Sequence, residues 1–195
     1  MSKKLLIVID CQNDFITGAL RNEDAIRTLP ALIAKVKAHV GDIIATHDTH
    51  FNDIQCSANW PPADNVQPYE KTLEGQKLPV PHCIKLSEGW EIEKEALAAM
   101  TDKNANPPKN FFAVDKYTFG WDGWKEYLKQ FKFDEIELVG YCTDICVVSN
   151  ALILRSIFPN MKITVDAACC AGVTPESHKA ALLTMKMCQI DVINE

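Results

Sequence analysis

Along this chain short apolar runs alternate with longer stretches of helical period. Leu5-Leu6-Ile7-Val8-Ile9 is continuously apolar and stops at a polar cluster that begins with Asp10, the mark of a buried parallel strand with a functional tip. Ala25, Ile26, Leu29, Leu32, Ile33 and Val36 recur at helical spacing and predict a helix over residues 23–38, with Pro30 set to kink it or to mark its first turn. The same reading predicts strands over 42–46, 111–114, 135–139, 162–165 and 189–193. It predicts helices over 90–99, 121–130, 144–158 and from Thr174 to about Met187. The last has a strong start: Thr174 as a capping hydroxyl, Pro175 at the first helical position and Glu176 in the first turn. Strands alternating with helices predict an α/β fold, an open and mostly parallel six-stranded sheet with helices on both faces in a Rossmann-like three-layer arrangement. Residues 50–89 are proline-rich and aperiodic, and long irregular segments in compact domains are usually functional. Residues 104–110 read as a turn-rich link.

Open parallel sheets bind ligands at the carboxyl ends of their strands. The residues there are Asp10, Gln12 and Asp14; then Thr46-His47-Asp48-Thr49-His50; then Asp115-Lys116; then Gly140-Tyr141-Cys142-Thr143-Asp144-Ile145-Cys146. Cys146 follows a strand, a glycine turn and a Thr143-Asp144 capping pair, and opens an apolar helix. A thiol in a first helical turn meets the positive end of the helix dipole, which favours thiolate, and neighbouring N–H groups that can hold an oxyanion. A buried cysteine in a packed strand–helix turn has the same pattern, so the reading rests on its partners. Asp10 ends an apolar strand, where a carboxylate needs a partner or a capping role. Lys116 is either a solvated loop lysine or the cation beside that acid and thiol. Asp48 and His50 can turn towards one ion, with Glu74 and His82 of the long loop as further candidates. His39, His47 and His178 read as surface or packing residues.

Composition narrows the class. The chain has 195 residues, enough for one domain with a real core, with 47% apolar and 24% charged residues. A net charge of −6 disfavours nucleic-acid and anionic-membrane partners, and no apolar run reaches the length of a membrane span. Eight cysteines without framework spacing, and no recognisable leader, point to reduced thiols and a cytoplasmic setting. No G-x-G-x-x-G is present, which disfavours a dinucleotide site.

Ile7-Val8-Ile9-Asp10-Cys11-Gln12-Asn13-Asp14-Phe15 resembles the V-D-x-Q-N-D-F opening of the isochorismatase-like cysteine hydrolases. Thr46-His47-Asp48-Thr49-His50 and Pro79-Val80-Pro81-His82-Cys83 resemble the T-x-D-x-H and W-P-x-H-C segments of the nicotinamidases (pyrazinamidases) in that superfamily. Lys116 and Gly140 to Val147 resemble the remaining blocks, in order. The resemblance implies a single domain over 1–195 with a metal and substrate loop at about 50–89. It implies Asp10, Lys116 and Cys146 as the catalytic triad and the amides of Cys142 and Cys146 as the oxyanion hole. A cis peptide is implied at Tyr141–Cys142. Asp48, His50 and His82 match the metal ligands and Glu74 an additional one, for a divalent ion: Zn first, with Mn or Fe as alternatives. Phe15 and Tyr141 are implied to contact substrate, with Tyr117, Phe119 and Trp121 as further pocket candidates. The family's ring-packing aromatic falls at Pro79, and Trp60-Pro61-Pro62 is a candidate source of a replacement.

The chemistry implied is thiolate attack on a small carboxamide, loss of ammonia and hydrolysis of the thioester, with nicotinamide as the first substrate. The alternatives are a relative acting on another small amide, ureido or carbamoyl compound, and a non-catalytic binding module on the same fold. Relatives of this fold often self-associate, so a homo-oligomer is among the expected states.

Overall fold

A computed structural model describes residues 3–58, 66–105 and 109–195 of the chain. In chain order the elements are β1 (Lys4–Ile9), α1 (Asn13–Ile16), α2 (Glu23–Ala38), β2 (Asp42–Asp48), α3 (Asp53–Ser57), α4 (Leu73–Lys77), α5 (Lys94–Met100), β3 (Asn110–Lys116), α6 (Trp124–Tyr127), β4 (Glu135–Tyr141), α7 (Val148–Ile157), β5 (Lys162–Ala171), α8 (Pro175–Met187) and β6 (Asp191–Ile193). The strands form one six-stranded sheet in the order β3-β2-β1-β4-β5-β6, and every neighbouring pair is parallel.

Both faces are covered, which is why the strands read as apolar runs rather than alternating ones. Leu6 and Val8 of β1 pack with Ile43 of β2 and Val139 of β4 under Leu32 and Val36 of α2. Leu5, Ile7 and Ile9 face the other way, against Trp124, Leu154 and Met185 of α6, α7 and α8. Helix α2 begins where Asn22 accepts hydrogen bonds from the amides of Asp24 and Ala25 at 2.9 and 3.1 Å. It runs unbroken through Pro30, which lies on its exposed side. Thr174 and Ser177 form a reciprocal cap at the start of α8.

The helix placed at 121–130 is α-helical only over Trp124–Tyr127, the strand placed at 189–193 begins at Asp191, and three further elements depart from expectation. The helix placed at 90–99 starts only at Lys94, because Asn13 donates to the Glu91 carbonyl, Ile92 bridges to Gln12 and Glu93 caps the helix. The helix placed at 144–158 begins as a π-helical turn over Thr143–Val147 before α7. Strand β5 continues to Ala171, because Asp166 is an ion-paired strand residue rather than a strand end. At the tip of β4, Gly140 (φ 122°) passes so close to β1 that a Cβ there would lie 2.0 Å from the Ile9 carbonyl oxygen. That glycine lets the turn bearing Cys142 and Cys146 leave the sheet beside the end of β1. The link expected at 104–110 lies partly, and Trp60-Pro61-Pro62 wholly, outside the described residues.

Candidate active site

Three neighbouring strands deliver Asp10, Asp48 and Lys116 to the carboxyl edge of the sheet. Lys116 is wholly buried, its Nζ 2.8 Å from Asp10 Oδ2, 3.0 Å from Asp48 Oδ1 and 3.5 Å from Cys146 Sγ. Asp10 sits in the left-handed region (φ 45°), a conformation costing a non-glycine residue about 1–3 kcal/mol and retained mainly at functional positions. Its Oδ1 accepts from the Thr46 hydroxyl at 2.6 Å, and its N–H donates to the same hydroxyl oxygen at 3.1 Å. Its Oδ2, although close to Lys116, receives no aligned hydrogen bond. The peptide Tyr141–Cys142 is cis, and Cys142, Ile145 and Cys146 all border the same cavity.

The electrostatics of this group follow from burial and a shortage of cations. Burial pushes the Asp10 carboxyl up, opposed by Lys116 and assisted by the Asp48 charge. Burial alone would lower Lys116, but the carboxylates of Asp10 and Asp48 outweigh it and hold its proton firmly. Asp48 goes the other way: burial would raise it, yet Lys116 and hydrogen bonds from His50 and His82 keep it well below the ordinary range. Burial also pushes the Cys146 thiol well up, against the pull of Lys116. The lowered thiol pKa expected from a helix start is therefore corrected. In this acid-rich setting burial favours the protonated thiol, and Asp10, its carboxyl raised as well, stands as the base across Lys116 from it.

Next to this group, Asp48, His50, Glu74 and His82 offer ligand atoms that all lie within 4.8 Å of one another. His50 Nε2 and His82 Nε2 lie 3.0 and 3.6 Å from Asp48 Oδ2, and His82 Nε2 lies 3.4 Å from Glu74 Oε1. Ligands on a common ion at about 2.0–2.2 Å stand about 3–3.5 Å apart, so the set suits a divalent metal. The His82 Nδ1 bond to the Val80 carbonyl, 2.9 Å, orients Nε2 towards the cluster. Charge agrees: three carboxylates (Asp10, Asp48, Glu74) face one ammonium, leaving a formal deficit of two positive charges. Burial would lower His82, yet Asp48 and Glu74 push it up to about 10, so without metal a proton there partly offsets the deficit. Glu74 stands on α4, whose start is capped by Thr72. Tyr69 fixes that loop, donating to the Leu78 carbonyl at 2.6 Å and packing edge-on against His50 and His82.

A cavity of about 630 Å³ joins the two groups, bordered by Phe15, Asp48, Glu74, His82, Phe119 and Cys146 among others. Phe15 packs edge-on to His82, ring centres 5.7 Å apart. Tyr141 is corrected as a contact made by its side chain: its buried ring turns into the core under α2 and its hydroxyl donates to the Ala25 carbonyl at 3.1 Å. Tyr117 packs on Phe51, and Trp121 on Trp124 and Tyr127, so of the three added aromatics Phe119 alone borders the cavity. Leu78, rather than Pro79, forms the wall where the aromatic was sought. Thr143 and Asp144 do not cap the turn. The Thr143 hydroxyl bonds His178 Nδ1 at 2.9 Å, and Asp144 accepts from the Val173 amide. His47 stacks on Trp90 with ring centres 4.5 Å apart, away from the ligand set. Thr46, legible only as a strand-tip residue, proves to hold Asp10 from the neighbouring strand.

A family model described as an isochorismatase domain matches residues 4–194. The chain is 26% identical over 205 residues to a nicotinamidase of Escherichia coli (strain K12), covering 96% of this chain and 92% of that protein. The crystal structure of a nicotinamidase of Bacillus subtilis superposes with a TM-score of 0.76 at 25% identity, covering 98% of this chain and 99% of that one. The fold also matches a pyrazinamidase of Pyrococcus horikoshii in complex with zinc, with a TM-score of 0.69 at 21% identity and 99% of each chain covered.

Proposed function

The chain belongs to the isochorismatase domain family, and on that premise we propose that it is a metal-dependent cysteine amidohydrolase converting nicotinamide and water to nicotinate and ammonia. The observation that carries this reading is the convergence of Cys146, Lys116 and Asp10 beside a four-ligand cluster on one cavity. The nicotinamidases among its relatives support the substrate, and the zinc-bound neighbour supports zinc as the ion.

Asp10 is the base. Its Oδ2, near Lys116 but free of an aligned hydrogen bond, takes the Cys146 proton as Sγ attacks the carboxamide carbon. The amides of Cys142 and Cys146 hold the oxyanion. When the C–N bond breaks, Asp10 returns the proton to the nitrogen and ammonia departs, leaving a thioester on Cys146. Water then adds to the thioester carbonyl with loss of its proton to Asp10, and Sγ leaves and recovers that proton. Lys116 steadies the carboxylates through the cycle and limits how far Asp10 and Cys146 rise. Asp48, His50, Glu74 and His82 would hold the metal, which supplies a Lewis-acidic anchor for the ring nitrogen. Phe15 packs against the ring. Eight unpaired cysteines, six of them buried, support a reducing, cytoplasmic setting. Among the described residues no helix is long and apolar enough to cross a membrane.

One observation favours a second reading. Leu78 borders the cavity where an aromatic was expected, which suits a different small amide or a carbamoyl compound. Ammonia release from nicotinamide and a panel of such compounds, before and after chelation, tests both. The expected result is that nicotinamide is turned over fastest and that chelation removes most of the activity. Preference for a non-aromatic amide, unaffected by chelation, overturns the nicotinamide reading and leaves the cysteine hydrolase.

A further inference from the structure

Asp48 belongs to both halves of the site. Its Oδ1 lies 3.0 Å from Lys116, while its Oδ2 lies 3.0 Å from His50 and 3.6 Å from His82. Its main chain must therefore be held firmly, yet the sheet does not hold it on both sides. On one side β3 pairs with β2 as far as Asp48 opposite Lys116. On the other, β1 pairs with β2 only from Leu6 opposite Ile43 to Val8 opposite Ala45. Strand β1 ends at Ile9, and the left-handed Asp10 carries the chain out of register. The N–H and C=O of Asp48 on that side are buried without a strand partner, a costly state unless another group supplies the bonds.

The side chain of Gln12 supplies them. The Asp48 N–H donates to Gln12 Oε1 at 2.8 Å, and Gln12 Nε2 donates to the Asp48 carbonyl at 2.9 Å. The same Nε2 donates to the Trp90 carbonyl at 2.8 Å. A carboxamide carries both a donor and an acceptor in one plane, as a peptide group does. Gln12 is wholly buried, and its own main chain is bridged to Ile92. The clamp is thus anchored to the loop that follows His82.

We propose that Gln12 is a positioning residue whose carboxamide stands in for the missing stretch of β1, fixing Asp48 so that one carboxylate serves Lys116 and the metal ligands at once. This rests on reading Asp48, His50, Glu74 and His82 as a metal site. It assigns a task to a side chain that touches neither the reacting atoms nor the ion.

The test is Gln12→Met, which keeps the length and loses both hydrogen-bonding functions. Zinc affinity of the metal-free protein, read by competition with a chromophoric chelator, is measured beside the thermal midpoint and the kcat and KM for nicotinamide. The expected result is a folded protein whose zinc affinity falls roughly 10–100-fold, the usual effect of losing a partner that orients a ligand, with kcat falling alongside. Wild-type zinc affinity in a folded variant of lowered midpoint would overturn the proposal, because a purely structural glutamine behaves that way. If wild-type protein binds zinc but does not hydrolyse nicotinamide, the functional reading fails while the zinc comparison still decides the role of Gln12. Wild-type protein that binds no zinc overturns the proposal; should only the variant fail to fold, amide exchange in the wild type decides. An Asp48 amide as protected as that of Ile44 supports the clamp, and one exchanging like a loop amide contradicts it.

Discussion

Two clusters of buried charge sit on this sheet and behave in opposite ways. Under α2, Lys35 Nζ lies 2.7 Å from Glu137 and 2.6 Å from Asp166, and Lys4 closes the other Glu137 oxygen at 2.7 Å. Asn194 donates to Asp166 at 3.1 Å. Two lysines meet two carboxylates, the charges cancel, and neither Glu137 nor Asp166 borders the cavity beside Cys146. At the strand tips, Lys116 is shared between Asp10 and Asp48, with His50 and His82 on the far oxygen of Asp48, and the group opens on a cavity beside a thiol. The first cluster is saturated and neutral and holds α2 to the sheet. The second is short of cations, and that deficit is what the proposed metal and proton transfer would draw on.

Substitutions at matched positions separate the two. Of the two, the larger effect is expected at Asp10→Asn, which keeps a partner for Thr46 and leaves Lys116 with Asp48. Activity falls roughly 10²–10⁴-fold, the scale of a lost general base, while the thermal midpoint hardly moves. Steady-state kinetics beside a melting curve check both halves. Glu137→Gln should do the reverse, destabilising by about 3 kcal/mol with activity per folded molecule unchanged. That is the lower end for breaking a buried pair, because the Lys4 side chain is 38% exposed and can be hydrated. Urea unfolding measures it, and equal loss of activity in both variants would erase the distinction between the clusters.

The smallest effect is in acid. Burial would raise Glu137, but hydrogen bonds from Lys35 and Lys4 hold it below the ordinary glutamate range. A carboxyl depressed in the folded state contributes stability that is complete above its unfolded value, about 4.3, and is lost as pH falls through the lower folded value. The wild-type stability curve should therefore descend more steeply below that pH than the curve of Glu137→Gln. Parallel acid limbs would contradict this.

How far the sequence could be read differs between these regions for a physical reason. Asp10, Lys116 and Cys146 were legible because each interrupts or follows an apolar run, and open parallel sheets gather such residues at one edge. Asp48, His50, Glu74 and His82 were legible as metal-type residues on a strand end and a proline-rich loop. The direction of a side chain at a strand tip was not. Tyr141 lies one residue from Cys142, yet its ring packs under α2 on the sheet face of Val139, while Cys142 borders the cavity. The strand predicted over 162–165 stops short of Asp166, because only the folded chain shows Lys35 reaching across from α2 to pair with it. The surroundings of Trp90 were misread for a similar reason: its indole donates to Thr49, and residues before Lys94 are held by long-range bonds rather than by a helix.

The proposed role of the charge-deficient cluster is to run a reaction through Cys146. It is tested most directly by ammonia release from nicotinamide in zinc-loaded wild-type protein and in Cys146→Ala at equal folded concentration. A fall of about 10⁴-fold or more with an unchanged thermal midpoint is the predicted result. A Cys146→Ala protein that retains activity within about tenfold of wild type would contradict it.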